Sequence, residues 1–353
     1  MEPDWANLEA CPLSLILDKL EEKIDHLWFS AVCKNWQLIA KLNHQNHEFK
    51  INTIPMLIVP TESLQQAAAS FTEKNGLFGI SNKRLYPFQF QLGLIKPKLR
   101  ICGSSHGWLA LADDSKSIII LMNPFKDIPH IILPPINRVY KITLSADPTE
   151  SPNDYVVAAI YGNNGGDLAF IRRGQKSWTY IDILEPSFID VIFYKGLLFA
   201  LSIHREIVSI NICVSNDLLH NKRINPNVIL PEKVDEGFLQ DKFLVKSLNE
   251  ELWMVRRCTL SKKIYHVYKL KLDAKSEKLE DIYKLKSLGD NILFLGKGDS
   301  IAVSASYFSK SLERDSIYFD DYLKIYNMKT GKSRCHSPYG SYTFWILPHF
   351  QWD

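Results

Sequence analysis

The residues whose types could do acid–base chemistry are the pair Asp320-Asp321 and the run His204-Arg205-Glu206. Neither has a nucleophile beside it, and acidic residues at strand ends commonly make turns or cap backbone groups. The glycine-rich stretch Gly162-Asn163-Asn164-Gly165-Gly166 lacks the Lys-Ser/Thr that completes a phosphate loop. No Gly-x-Ser-x-Gly elbow and no His-Glu-x-x-His motif occurs. His44 and His47 have metal-ligand chemistry, but no acidic or thiol partner completes a ligand set, so a solvated helix end is expected there. The six cysteines (Cys11, Cys33, Cys102, Cys213, Cys258, Cys335) stand singly, which excludes zinc knuckles and thioredoxin-like sites; buried, reduced thiols are expected. No catalytic residue, metal or cofactor is therefore expected, and an enzyme is the rival reading from another class.

Composition narrows the partners. The 353 residues carry 42 Lys+Arg against 39 Asp+Glu, a balance far from that of a dedicated nucleic-acid binder. Lys83, Arg84, Lys96, Lys98 and Arg100 are the residues that could serve nucleic-acid binding, and a solvated strand face explains them more simply. Glu2, Asp4 and Glu9 stand where a signal peptide needs positive charge, and no run of about 18 apolar residues exists to span a membrane. The expectation is a cytoplasmic or nuclear protein with neither nucleic acid nor membrane as partner.

Chemistry-poor chains work by position, and the elements here are of two kinds. After Pro12, which a first helical turn tolerates, Leu13, Ile16, Leu17, Leu20 and Ile24 recur at steps of three and four and draw one apolar face of a helix. Asp25 reads as the N-cap of a second helix carrying Phe29, Val32, Cys33 and Trp36, with a break near Lys34-Asn35 before Leu38-Ile39-Ala40. A unit of about forty residues buries little surface and is expected to show an apolar face to a partner. From about residue 53 the pattern changes to short apolar-aromatic strands. Gly76–Ile80, Gly107–Leu111, Asp167–Ile171, Gly196–Ala200, Glu251–Val255 and Ser316–Asp320 share one design. Second strands close on Asn123, Asn211 and Asn327, and further strands end in Leu133-Pro134 and Leu230-Pro231. Strand-turn-strand units at roughly 50-residue spacing predict propeller blades, six of them, better than a plain sandwich. The run Tyr342–Ile346 is expected to pair with Met56–Val59 and close the ring.

The segments Trp5–Leu8, Cys11–Leu17, Asp25 and Phe29–Trp36, above all Val32-Cys33-Lys34-Asn35-Trp36, resemble an F-box, with Cys11 where a Leu usually precedes the proline. The remainder resembles the β-propeller of the plant KIB-type F-box family. The likeness runs through Cys102–Leu109, Met122–Phe125, Leu144–Pro148, Leu168–Gly174 with Trp178-Thr179, Phe193–Gly196, Leu288–Gly296, Ile317–Asp321 and Trp345–Pro348. The resemblance implies a mainly β chain: an F-box helical module over residues 1–50 and a substrate-binding β-propeller over residues 51–353. It implies a plant source, an Skp-type adaptor and through it a cullin as partners, and the role of substrate receptor in an SCF-type ubiquitin ligase. The substrate class it suggests is a regulated signalling protein such as a kinase.

Candidate adaptor contacts on the module are Pro12, Leu13, Ile16, Leu20, Val32, Cys33 and Trp36, with Leu20 and Trp36 equally able to serve the module's own core. On the propeller the substrate residues are unknown; the connections at 162–166, 216–227 and 309–315 are the candidates. A propeller scaffold outside ubiquitylation is the second rival.

Overall fold

A computed structural model of the chain describes residues 4–45, 53–60, 74–89, 99–162, 166–182, 187–203, 207–212, 242–257, 264–273, 279–335 and 343–349. Three short helices precede six β-sheets arranged as the blades of a propeller. Middle strands such as Trp108–Asp113, Val156–Tyr161, Leu197–Ser202 and Asn291–Leu295 are buried on both faces, so each blade buries them by stacking on its neighbours. The core accordingly lies between blades, in successive clusters such as Cys102, Trp108, Ile142 and Val157 between the second and third.

The innermost strands, in order from the first blade, are Phe344–Ile346, Arg100–Ser105, Val139–Leu144, Phe188–Tyr194, Lys242–Lys246 and Ile301–Ser304. Closure is as expected: Met56, Leu57 and Ile58 pair antiparallel with Ile346, Trp345 and Phe344, so both ends of the propeller share the first blade. The last blade departs from a simple meander. Its strand Asn291–Leu295 pairs antiparallel with the inner Ile301–Ser304 but parallel with Ser316–Phe319, and residues 305–315 make the crossover between them.

Family-like motifs turn out to be joints between blades. The Trp108 indole donates to Asp147 Oδ1 at 2.9 Å, the Trp178 indole to the Pro134 carbonyl at 2.9 Å, and the Trp345 indole to the Leu295 carbonyl at 3.1 Å. Asn123 and Asn327 end their strands by accepting from the amides of Phe125 and Thr330, which sets the turns. At Gly103 a side chain has no room: a Cβ would press on the Ile142 carbonyl oxygen of the next inner strand. Gly103→Ala is expected to cost about 1–3 kcal/mol of stability, measured by denaturant unfolding.

The helices are α1 (Ala10–Leu17), α2 (Lys23–Ser30) and α3 (Lys34–Gln45). The single apolar face read through Ile24 is in fact divided. Helix α1 stops at Leu17 in tight turns (Lys19 N–H to Ile16, Leu20 N–H to Leu17, both 3.0 Å), and Ile24 belongs to α2. Asp25 is not the N-cap of α2; Glu22 precedes the helix, and Asp25 sits in its first turn accepting from the Tyr86 hydroxyl at 3.2 Å. The break near Lys34 falls where expected.

Candidate functional site: an exposed helical face and an axial cavity

The helical module has a core of Leu13, Leu17, Phe29, Ile39 and Ala40, with Ile16, Leu20 and Trp36 packed against it. Trp36 lies 4.5 Å from Phe29, ring to ring, and its indole donates to the Trp5 carbonyl, while Asn35 donates to the Leu8 carbonyl at 2.9 Å. These bonds hold the N-terminal segment onto α3. Of the seven candidate contacts, Leu13 is wholly buried in the module's own core. Pro12 and Val32 are exposed, and Ile16, Leu20, Cys33 and Trp36 are half-buried. Sequence reading passed over Leu15, Leu38 and Leu42, each more than half exposed. Their signal is the complement of the core periodicity: Leu15 sits on α1 between the buried Leu13 and Leu17, and Leu38 on α3 beside Ile39.

Helix α2 has two apolar sides. Phe29 faces the module, while Ile24 and Leu27 enter the propeller cluster with Met56, Leu77 and Tyr86, and Trp28 meets the Tyr86 ring at 5.2 Å. Polar contacts reinforce the joint. Glu22 is buried and accepts from the Ser81 amide (3.1 Å) and hydroxyl (2.7 Å), and the Ser311 hydroxyl donates to Glu21. Burial, opposed by the Ser81 bonds and assisted by Asp25 and Glu21, pushes the Glu22 carboxyl up to about 7. His44 is not a solvated helix end. It is buried against His26, rings 5.4 Å apart, and burial lowers both imidazoles, to about 3 and about 4. His47 lies outside the described residues.

The contact of Ser311 also relocates a candidate loop. The 309–315 connection faces the helical module, with Phe308 and Leu312 buried in a core cluster, and so is not placed as a free target-binding loop. The 216–227 connection, the His204–Glu206 run and Leu230-Pro231 lie outside the described residues. Of the thiols, Cys102 is buried as expected, and burial pushes it up to about 12; Cys11 and Cys335 are exposed and Cys33 half-exposed, against expectation. Cys11 on α1 and Cys335 at the end of the strand Lys332–Cys335 face solvent, and Cys33 lies in the break before α3. Cys213 and Cys258 lie outside the described residues. Arg100 is no free basic group, since its guanidinium grips Asp114 through two bonds (3.0 and 2.8 Å).

A cavity of about 850 Å³, lined by the third to sixth blades, lies at the end of the propeller where the inner strands begin. Lys141, Asp190 and Lys242 lie at or near those starts. Register shifts between Val139 and Lys141 and between Phe188 and Asp190 fall beside the first two of these, where a bulge re-aims a side chain. Lys141 Nζ pairs with Asp190, both buried, and donates to the Gly298 carbonyl at 2.8 Å. Asp190 also accepts from the Leu244 amide at 2.6 Å, so one ion pair ties the third, fourth, fifth and sixth blades. Lys242 donates to the Ile203 carbonyl at 2.6 Å, and Lys324 to the Tyr265 hydroxyl at 2.6 Å. Asp320, singled out for acid–base chemistry, is buried at the cavity wall and accepts from the Lys297 amide at 2.9 Å; burial raises its carboxyl to about 7. Gly166, at the end of the candidate 162–166 connection, lines the cavity; residues 163–165 are not among those described.

Strands alternate in direction within the first blade, so the turn that α2 covers, at Gly79–Asn82, lies at the end where inner strands finish. The cavity and the helical module therefore occupy opposite ends of the propeller.

The KIB1-4 β-propeller family model matches residues 77–342, three quarters of the chain. The chain belongs to the KIB1-4 β-propeller family. F-box protein SKIP23 of Arabidopsis thaliana is 22% identical over 90% of this chain and 84% of its own length. Two further Arabidopsis thaliana proteins that bear F-box names are 23% and 21% identical, over 90% and 93% of this chain and 85% and 91% of their own lengths. These spans exceed the propeller and reach into the helical module. The family expected from the motifs, a plant F-box protein with a KIB-type propeller, is the family found, and the six-bladed, mainly β architecture with N-terminal helices stands.

Proposed function

We propose that this KIB1-4 family chain is the substrate-receptor subunit of a cullin-based SCF-type ubiquitin ligase. The observation that carries the proposal is the opposed arrangement: exposed apolar side chains of the helical module at one end, a concave cavity with its surrounding loops at the other. Pro12, Leu15 and Val32 are the surface that docks on an Skp-type adaptor, because they are apolar and exposed while the core beneath them is already filled. The face around the cavity recruits the protein target, for which a signalling kinase is the expected class. The chain performs no chemistry of its own in this role; it supplies proximity. Holding a target lysine near a charged ubiquitin carrier makes their encounter effectively intramolecular. That demands a firm link between the two interfaces, and the wedge of Ile24, Leu27 and Trp28 into the first blade supplies it. The site of action is the cytoplasm or nucleus.

In plant cells the intact chain is expected to lower the abundance of a protein captured on its propeller by about threefold or more in a proteasome-dependent way. The double variant Leu15→Asp, Val32→Asp should leave the captured protein undiminished. Equal abundance with both forms would favour a scaffold outside ubiquitylation.

A further inference from the structure

The joint between the helical module and the first blade buries a carboxyl that is answered on one side only. Glu22 is 1% exposed. Its Oε1 accepts from the Ser81 amide and hydroxyl, while Oε2 is buried with no hydrogen-bond partner among the described residues. The turn of residues 79–82 is shaped for this contact, since a Cβ on Gly79 would press on Glu22 Oε1 at 2.9 Å and on Asn82 Oδ1 at 2.7 Å. A protonated carboxyl tolerates such burial at modest cost. A carboxylate with one oxygen unanswered does not, because a buried charge must be paired or fully hydrogen-bonded.

Among the described residues, the groups around Glu22 offer no charge to offset its ionisation. Asp25, one turn on along α2, accepts from the Tyr86 hydroxyl and from Asn82, and Glu21 accepts from Ser311 of the 305–315 crossover. Three carboxyl groups therefore meet the propeller through Ser81, Asn82, Tyr86 and Ser311, which are neutral donors. Lys23 is next in sequence, yet its charge acts on His26 and His44, whose rings meet between α2 and α3; the charge of Asp18 acts on His26. Lys83 and Arg84 on the turn and Lys310 on the crossover are exposed, and none of them bonds to Glu22. Glu313 of the crossover is paired with Arg334. The remainder of the joint is apolar and does not titrate: Ile24 and Leu27 lie in the propeller cluster and Trp28 against the Tyr86 ring.

We propose that this joint is a proton-operated hinge: with Glu22 protonated the module sits firmly on the turn of residues 79–82, and ionisation of Glu22 frees that edge of α2 while the apolar wedge keeps the module attached. Burial pushes the Glu22 carboxyl up to about 7, so the seated form is complete at acid pH and is lost as pH rises through 7. In a substrate receptor the hinge sets how rigidly the adaptor end is held against the target end. That consequence rests on the receptor role proposed above; the hinge itself does not.

The test is hydrogen exchange of the full chain at pH 6 and pH 8, corrected for the intrinsic pH dependence of exchange, with Glu22→Gln beside the parent. The Ser81 amide reports directly, because it donates to Glu22 in the seated form. With carboxyl values of 4.5 when released and about 7 when seated, opening of residues 79–82 in the parent, relative to the variant, should rise about tenfold between the two pH values. The strand Val156–Tyr161 of the third blade should show no such rise. Taking the ratio to Glu22→Gln removes the titrations of Lys23, His26 and His44, which both forms share. Should Glu22→Gln fail to fold, the parent alone decides, since protection at Ser81 must fall against that of Val156–Tyr161 as pH rises. A ratio constant within about twofold, or residues 79–82 and 156–161 opening by the same factor, would overturn the proposal. The adaptor takes no part in this measurement, so failure of the receptor role leaves its result standing.

Discussion

Replacing Asp190 with Ala is expected to destabilise the chain by about 3–5 kcal/mol. The side chain is buried and answers several donors at once: the Lys141 ammonium, the Leu244 amide and the Val191 amide. Removing it takes from the buried Lys141 ammonium its paired carboxylate, leaving the Gly298 carbonyl and the neighbouring Asp299 carboxyl, and strands the Leu244 N–H. The loss is therefore larger than the net worth of the pair itself. The double replacement Asp190→Leu, Lys141→Met should regain at least half of it, since apolar groups of similar volume carry no desolvation penalty. Equilibrium denaturation of the three forms decides the matter. A loss under about 1 kcal/mol for Asp190→Ala would show that the pair does not bind the blades together.

The second large effect is a pH dependence at the joint between module and propeller. Glu22 has its carboxyl raised from 4.5 to about 7, by burial first and by Asp25 and Glu21 in addition. The folded state thus holds the proton more tightly than the unfolded chain. This contribution is complete below pH 4.5 and is lost as pH rises through 7, a change of about 3 kcal/mol. Glu22→Gln keeps an acceptor for Ser81 and cannot ionise. It should match the parent near pH 5 and exceed its stability by about 2–3 kcal/mol at pH 8, measured by denaturant unfolding at both values. The lowered imidazoles of His26 and His44 work in the other direction, since stability from a depressed histidine is lost as pH falls below 6.5 toward 3–4. A Glu22→Gln variant no more stable than the parent at pH 8 would contradict the burial of a raised carboxyl at this joint.

Much of the fold was legible in the sequence because propeller strands are short, apolar and bounded by turns. The six repeated segments fall one in each blade. They are not equivalent, however. Gly107–Leu111, Gly196–Ala200 and Glu251–Val255 lie on second strands counted from the axis, whereas Gly76–Ile80, Asp167–Ile171 and Ser316–Asp320 lie on third strands. Second and third strands are buried on both faces and carry the same pattern, so spacing alone could not tell them apart. The closing strand was legible because Phe344-Trp345-Ile346 is an apolar run left over at the chain's end. The parallel pairing in the last blade was not, since it depends on a crossover rather than on the strands it joins.

The candidate sites divide in the same way. The helical module announces itself through local periodicity, but periodicity marks Leu13 as apolar without saying that it faces inward. The cavity was invisible, because Lys141, Asp190, Lys242 and Lys324 are scattered over some 180 positions and meet only when the third to sixth blades are set side by side. Two register shifts, which no side-chain pattern reports, fall beside the first two of them.

The most direct test of the receptor role is the affinity of the purified full chain for an Skp-type adaptor, set beside the same measurement on Leu15→Asp, Val32→Asp. The account predicts a stoichiometric complex for the parent and a loss of about 100-fold or more in the variant, with the variant's own unfolding curve unchanged because both side chains are exposed. No complex with the parent chain, or equal affinity in both, would contradict it.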